Sequence, residues 1–157
     1  MKKIAFLLVT LLMSVSASAQ FEKGKVYAEA SLTGFDMSSQ ANKFHLGLGA
    51  RGGYLFMDNL MALGEAGYNH LKGSNDSYSF GAGVRYYIIQ NGLYLGAMAK
   101  FKHNNLKEND FMPGVHVGYA FFLNGTVTVE PELYMDFSTN KFEDSCYGLG
   151  IGIGIYL

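Results

Sequence analysis

The sequence predicts an all-β chain, an eight-stranded antiparallel up-and-down transmembrane β-barrel preceded by a cleaved signal peptide. Three observations predict it. Hydropathy alternates with a period of two from Lys25 to the last residue, which is the period of a strand. The composition holds 20 Gly, 12 Phe and 11 Tyr but only 2 Pro, the balance of a chain built from short strands and tight turns. After Ala19 no apolar run approaches the roughly 20 residues of a membrane-crossing helix. Membrane entry would therefore require a closed barrel, in which every backbone polar group finds a partner between strands.

Residues 1–19 come first. Lys2 and Lys3 precede an apolar run from Ile4 to Met13 and a small-residue stretch that ends Ala17-Ser18-Ala19. That is the pattern of a secretory leader, with cleavage expected after Ala19 and residues 20–157 left as the barrel domain. Without the two leader lysines, 10 basic residues stand against 13 acidic ones, so no basic field for nucleic acid exists. The lone Cys146 excludes an internal disulfide and a cysteine-rich metal site.

The strands follow in order, each with one apolar face. Strand one presents Val26, Ala28, Ala30 and Leu32, and strand two Phe44, Leu46, Leu48, Ala50 and Tyr54. Strand three is weaker, with Leu60, Ala62, Ala66 and Tyr68. Strand four shows Tyr78, Phe80, Ala82, Val84, Tyr86 and Ile88, and strand five Leu93, Leu95, Ala97, Ala99 and Phe101. Strand six gives Val115, Val117, Tyr119 and Phe121; strand seven gives Val127, Val129, Leu133, Met135 and Phe137. In strand eight Tyr147, Leu149, Ile151, Ile153, Ile155 and Leu157 alternate with Gly148, Gly150, Gly152 and Gly154. Nearly all the glycines and the mid-strand charges occupy the other face, which is the apolar-out, polar-in arrangement of a transmembrane barrel. A soluble lipocalin-like binder would reverse the two faces.

Connections alternate in length. Short turns lie at 56–59, 90–92 and 123–126, two of them containing Asn-Gly, a hairpin signal. Longer polar loops lie at 35–43, 71–77, 102–110 and 138–145. This interleaving puts both termini on the short-turn side. Pro131 falls mid-strand, where it has no N–H for the ladder, and predicts a bulge or weak pairing; Pro113 is expected at a strand start.

The inward face carries Glu29, Arg51, Glu65, Arg85, Lys100, His116, Glu130, Glu132 and Asp136. If each hairpin pairs symmetrically about its turn, Glu29 faces Arg51, Arg51 faces Glu65, Glu65 faces Arg85, and His116 faces Glu132. An eight-stranded barrel is just wide enough for side chains to fill it. The expectation is a closed polar core, read either as a static ion-pair network or as a gate whose pairs exchange.

Four segments together carry a resemblance: the leader ending Ala19-Gln20, the opening Lys23-Gly24-Lys25-Val26-Tyr27, the run Gly83-Val84-Arg85-Tyr86-Tyr87, and the glycine-alternating last strand. Over residues 21–157 the chain resembles the small outer-membrane β-barrel proteins, the family of the outer-membrane protein A membrane domain and of outer-membrane protein X. Such chains often end in an aromatic, whereas here Tyr156 is penultimate and Leu157 last. The resemblance implies a bacterial outer-membrane location with both termini in the periplasm, and the barrel-assembly machinery as a partner during insertion. It implies contact with outer-membrane lipid and lipopolysaccharide, and leaves open an extracellular ligand for the loops.

The family shares architecture more than chemistry. The role expected is a non-enzymatic, structural or surface-interaction one, with no cofactor and no metal; His45, His70, His103 and His116 are not at ligand spacing. One alternative is a narrow, porin-like passive channel. Another is a lipid-modifying enzyme assembled at the outer rim from His45, Asp76 and Ser77.

Overall fold

The computed structural model describes residues 21–36, 46–70, 77–88, 92–104, 109–140 and 145–157. Residues 1–20, 37–45, 71–76, 89–91, 105–108 and 141–144 lie outside them. Eight strands are present: β1 (Val26–Asp36), β2 (Leu46–Met57), β3 (Leu60–His70), β4 (Ser77–Tyr87), β5 (Leu93–Asn104), β6 (Asn109–Tyr119), β7 (Val127–Asp136) and β8 (Cys146–Tyr156). Phe121–Phe122 continues β6 beyond a break at Ala120. Each strand pairs antiparallel with the next, and β8 pairs back onto β1, so the sheet closes on itself and leaves no edge.

Closure imposes a stagger. Following Cα partners from Val26 through Tyr54, Ala62, Val84, Ala97, Val115 and Met135 leads to Tyr147, beside Gly148, whose partner on β1 is Asp36. One circuit therefore climbs about ten residues, the shear that tilted strands need in order to close. Residues level with one another across the lumen are consequently far apart in register.

The two faces separate as the alternation predicts. Phe80, Phe101, Val84, Leu95, Ile151 and Ile153 are all exposed, on the outside. Arg85, Glu130, Glu132, Glu29 and Arg51 are buried within. Aromatics gather at both ends of the outer face, with Tyr68 against Tyr78 and Phe101 against Phe111 toward the long loops, and Tyr119 against Phe121 toward the short turns. Such girdles mark the two interfaces of a membrane.

Two short turns are described in full. Asp58-Asn59 joins β2 to β3, with Asn59 at φ 63°, a left-handed position that Asn tolerates. At 123–126 the Asn124 Oδ1 accepts from the Thr126 N–H (2.9 Å) and the Val127 N–H (2.8 Å), closing a side-chain turn.

The two prolines share one seam. On β7 the odd residues turn their backbone polar groups toward β6, as shown by Phe137 N–H donating to Pro113 C=O at 2.8 Å. Pro131 is one of these, and Tyr119 stands opposite it where the β6–β7 ladder lapses, between Gly118↔Glu132 and Phe121↔Val129. Register is the same on either side of the gap, so the pairing is weakened without a bulge. Pro113 is the fifth residue of β6 and not a strand start, and its missing donor faces β7 as well. Replacing Pro131 with Val should return one donor to this seam. The expected result is slower amide hydrogen exchange at Val117 and Tyr119 than in the unaltered protein, with β2–β3 amides unmoved.

Candidate functional site

Every large inward side chain has to find room in a lumen about two side chains wide, and the sequence provides it with glycine on the neighbouring strand. Tyr94 lies over Gly118, His116 over Gly96, Asp136 over Gly114 and Lys100 over Gly81, each pair also being Cα partners across the ladder. A methyl group at any of these glycines would meet the facing side chain. The inward glycines are thus the space into which the ionised groups fold.

Within that space the charges form one connected column. Near the long loops, Lys100 Nζ sits 2.9 Å from Asp136 Oδ2 and 3.3 Å from Glu65 Oε1. Arg51 donates from Nε to Glu65 Oε2 at 2.7 Å, and both Nη atoms donate to the two oxygens of Glu132 at 2.9 and 2.8 Å. Such a fork is the strongest geometry an arginine offers a carboxylate. Arg85 Nη1 donates to Glu130 Oε2 at 2.8 Å and to the Tyr27 hydroxyl at 3.1 Å, while Nη2 reaches Glu132 at 3.4 Å. Glu29 lies 3.6 Å from both arginines and accepts from the Tyr27 hydroxyl at 2.5 Å.

Arg85 is 0 % exposed and is the hub. Its guanidinium carbon stands 4.0 Å from the centroid of the Tyr94 ring and 5.2 Å from that of Tyr27, so aromatic faces complete the shell that the carboxylates begin. Glu130 is held by Arg85, Thr128 (2.7 Å) and Tyr156 (3.0 Å), and it shares the single Tyr27 hydroxyl proton with Glu29. An isolated charge at this depth would cost several kcal/mol in lost hydration, which explains why no carboxylate here stands alone. Among the described residues, two buried lumen nitrogens, Arg85 Nε and His116 Nε2, have no hydrogen-bond partner.

Sequence reasoning placed Glu29 opposite Arg51 and Arg51 opposite Glu65, and both are Cα partners. Two other pairings are corrected. Glu65 faces Gly81, and Arg85 faces Met61, because β3 and β4 pair about residue 73 and not 75. His116 faces Tyr134, and Glu132 faces Gly118, because the β6–β7 hairpin is centred one residue later than expected. Loops need not be symmetric, and lumen packing sets the register. Arg85 meets its carboxylates across the lumen on β7 instead, and His116 packs edge-on to Tyr94, 6.1 Å between centroids.

The sequence reading missed an aromatic layer at the short-turn end of the lumen. Tyr27, Leu55, Met61, Leu63, Tyr87, Tyr94, Met98 and Tyr156 face inward and form an apolar cluster there. Tyr87 and Tyr156 share a hydrogen bond of 2.7 Å between their hydroxyls. The signal was available in the apolar residues at inward positions near the short turns. Of the rim residues considered for catalysis, His45 and Asp76 lie outside the described residues, and Ser77 opens β4.

A closed barrel that is greasy outside, ionised within and filled by its own side chains defines a membrane-spanning barrel of the small, side-chain-packed class. The chain belongs to the family described as outer membrane protein beta-barrel domain, which matches residues 5–157. It is similar in structure to Neisserial surface protein A, at a TM-score of 0.63 and 17% identity, covering 83% of this chain and 95% of that one. The N-terminal β-barrel domain of Pseudomonas aeruginosa OprF gives 0.65 and 15%, covering 86% and 98%. The outer membrane protein OprG from Pseudomonas aeruginosa gives 0.57 and 12%, covering 88% and 99%. At these identities the likeness is one of fold. No curated protein matches the chain.

Proposed function

We propose that this chain is a non-enzymatic outer-membrane protein with a structural or surface-interaction role, its lumen shut by its own side chains. The observation that carries this reading is the span of Arg51 and Arg85 across the lumen to Glu132 and Glu130, at 2.8 Å in each case. Opening a path means parting a buried, multiply bonded ion pair, whose charges would have to find other partners or water at this depth. The leader is removed after Ala19, both termini face the periplasm, and the long loops meet lipopolysaccharide or an external ligand. Refolded protein in a planar bilayer should show no steady current. A reproducible open conductance from the unaltered chain would sink the closed-lumen reading.

One observation favours a narrow channel as the second reading. Among the described residues, five lumen carboxylates (Glu29, Glu65, Glu130, Glu132, Asp136) face three permanent cations (Arg51, Arg85, Lys100). A lumen of that balance would pass cations in preference to anions. The same bilayer, with a salt gradient across it, would then give a reversal potential of cationic sign.

A further inference from the structure

Residues 21–25 belong to no strand, yet they are held from several sides. The Asn59 N–H donates to the Phe21 C=O at 2.9 Å, the Gly24 N–H to the Leu55 C=O at 2.7 Å, and the Lys23 N–H to Asp58 Oδ1 at 2.9 Å. Gly24, at φ 99°, makes the turn that sends the chain from the mouth of the barrel into β1. The result carries Phe21 inward, where it is 0 % exposed. Its ring stacks on Tyr87 at 3.8 Å and 12°, with Tyr156 and Phe122 edge-on at 5.5 and 5.6 Å.

What Phe21 covers gives it a purpose. Tyr87 and Tyr156 lie against it, Tyr156 bonds to Glu130, and Glu130 bonds to Arg85. Polar bonds of this kind are strong only where water is kept out. An apolar ring on the tyrosine layer keeps it out on the short-turn side.

We propose that residues 21–25 are a strap and Phe21 a stopper, a seal at the short-turn mouth separate from the ion pairs higher in the lumen. It rests on the closed-lumen reading and adds a second barrier, one that can be removed while the first stays in place. The strap starts two residues past Ala19, so removal of the expected leader leaves Phe21 as the second residue of the mature chain.

Two cysteine reporters test this in the full-length protein with Cys146→Ser as background. Thr128→Cys sits at a position that is 0 % exposed, bonded to Glu130 beneath the tyrosines. Met112→Cys sits at a position 4 % exposed, opposite Lys100 near the long loops. The probe is a small cationic methanethiosulfonate, applied to protein whose heat-modifiable migration shows a folded barrel. With Phe21→Ala, labelling of Thr128→Cys should speed up tenfold or more while Met112→Cys keeps its rate, and Phe21→Leu should fall between. Unchanged Thr128→Cys labelling overturns the proposal, and so does an equal acceleration at both reporters, which would signify general loosening. A current from the unaltered chain would count against the closed lumen without altering either rate, so the two failures are distinguishable.

Discussion

Replacing Arg85 with Met is expected to destabilise the barrel by about 3–5 kcal/mol, the loss that follows when one partner of a buried ion pair is removed. Met fills much of the space, so the loss is electrostatic more than steric. Glu130 would keep its hydroxyl donors but lose its cation, and Glu132 would keep Arg51 and the Tyr94 hydroxyl at 3.1 Å. Urea unfolding of the refolded protein in lipid vesicles, followed by tyrosine fluorescence because the chain has no Trp, reads the difference. The double variant Arg85→Met with Glu130→Met should recover part of it, since a buried pair replaced whole by apolar groups is often neutral. Arg85→Lys should be intermediate, keeping the charge but not the planar fork that reaches Glu130 and Glu132 together. A single variant as stable as the unaltered chain would show that the column of charges is incidental to closure.

The second large effect concerns space. Gly83→Ala places a methyl group against the Ala97 carbonyl oxygen and the Met98 Cα, which are backbone and have no rotamer to yield. Strand β5 has to move, and overpacking of this kind costs about 1–3 kcal/mol. Gly64→Ala is the control. It lies on the outer face of β3, and a methyl there meets nothing within 4 Å. It should be neutral or slightly stabilising, because Gly is the least favourable residue in a strand interior. The midpoint of urea unfolding should therefore fall for Gly83→Ala and hold or rise slightly for Gly64→Ala, and parallel losses would contradict the assignment of the two faces.

How much of this was legible in the sequence depends on what fixed each feature. Which residues face lipid follows from a period of two, and Val84, Leu95 and Ile153 stand where that period puts them. The Arg51–Glu65 pairing was readable because the connection at Asp58-Asn59 is short, and the register shift between Leu55 and Met57 moves the centre by only half a residue. The expected Glu65–Arg85 pairing failed because β3 and β4 pair about residue 73 and not 75, which sets Glu65 against Gly81, four residues before Arg85. The contacts that matter most, Arg85 with Glu130 and Arg51 with Glu132, join residues 45 and 81 positions apart. They arise from strand tilt and shear, which no local pattern encodes. Phe21 was invisible for another reason: it precedes the alternation, and a residue just past a leader gives no sign that it folds inward.

The proline-thinned joint between β6 and β7 gives this ring a preferred place to part. A hoop under strain opens where its fastenings are fewest, and here that is away from the chain ends, since the β1–β8 joint retains nine paired positions. The first open form expected is then a continuous eight-stranded ribbon running from β7 through β8 and β1 to β6. In it the first and last strands of the chain, farthest apart in sequence, remain clasped as the third and second strands of the ribbon.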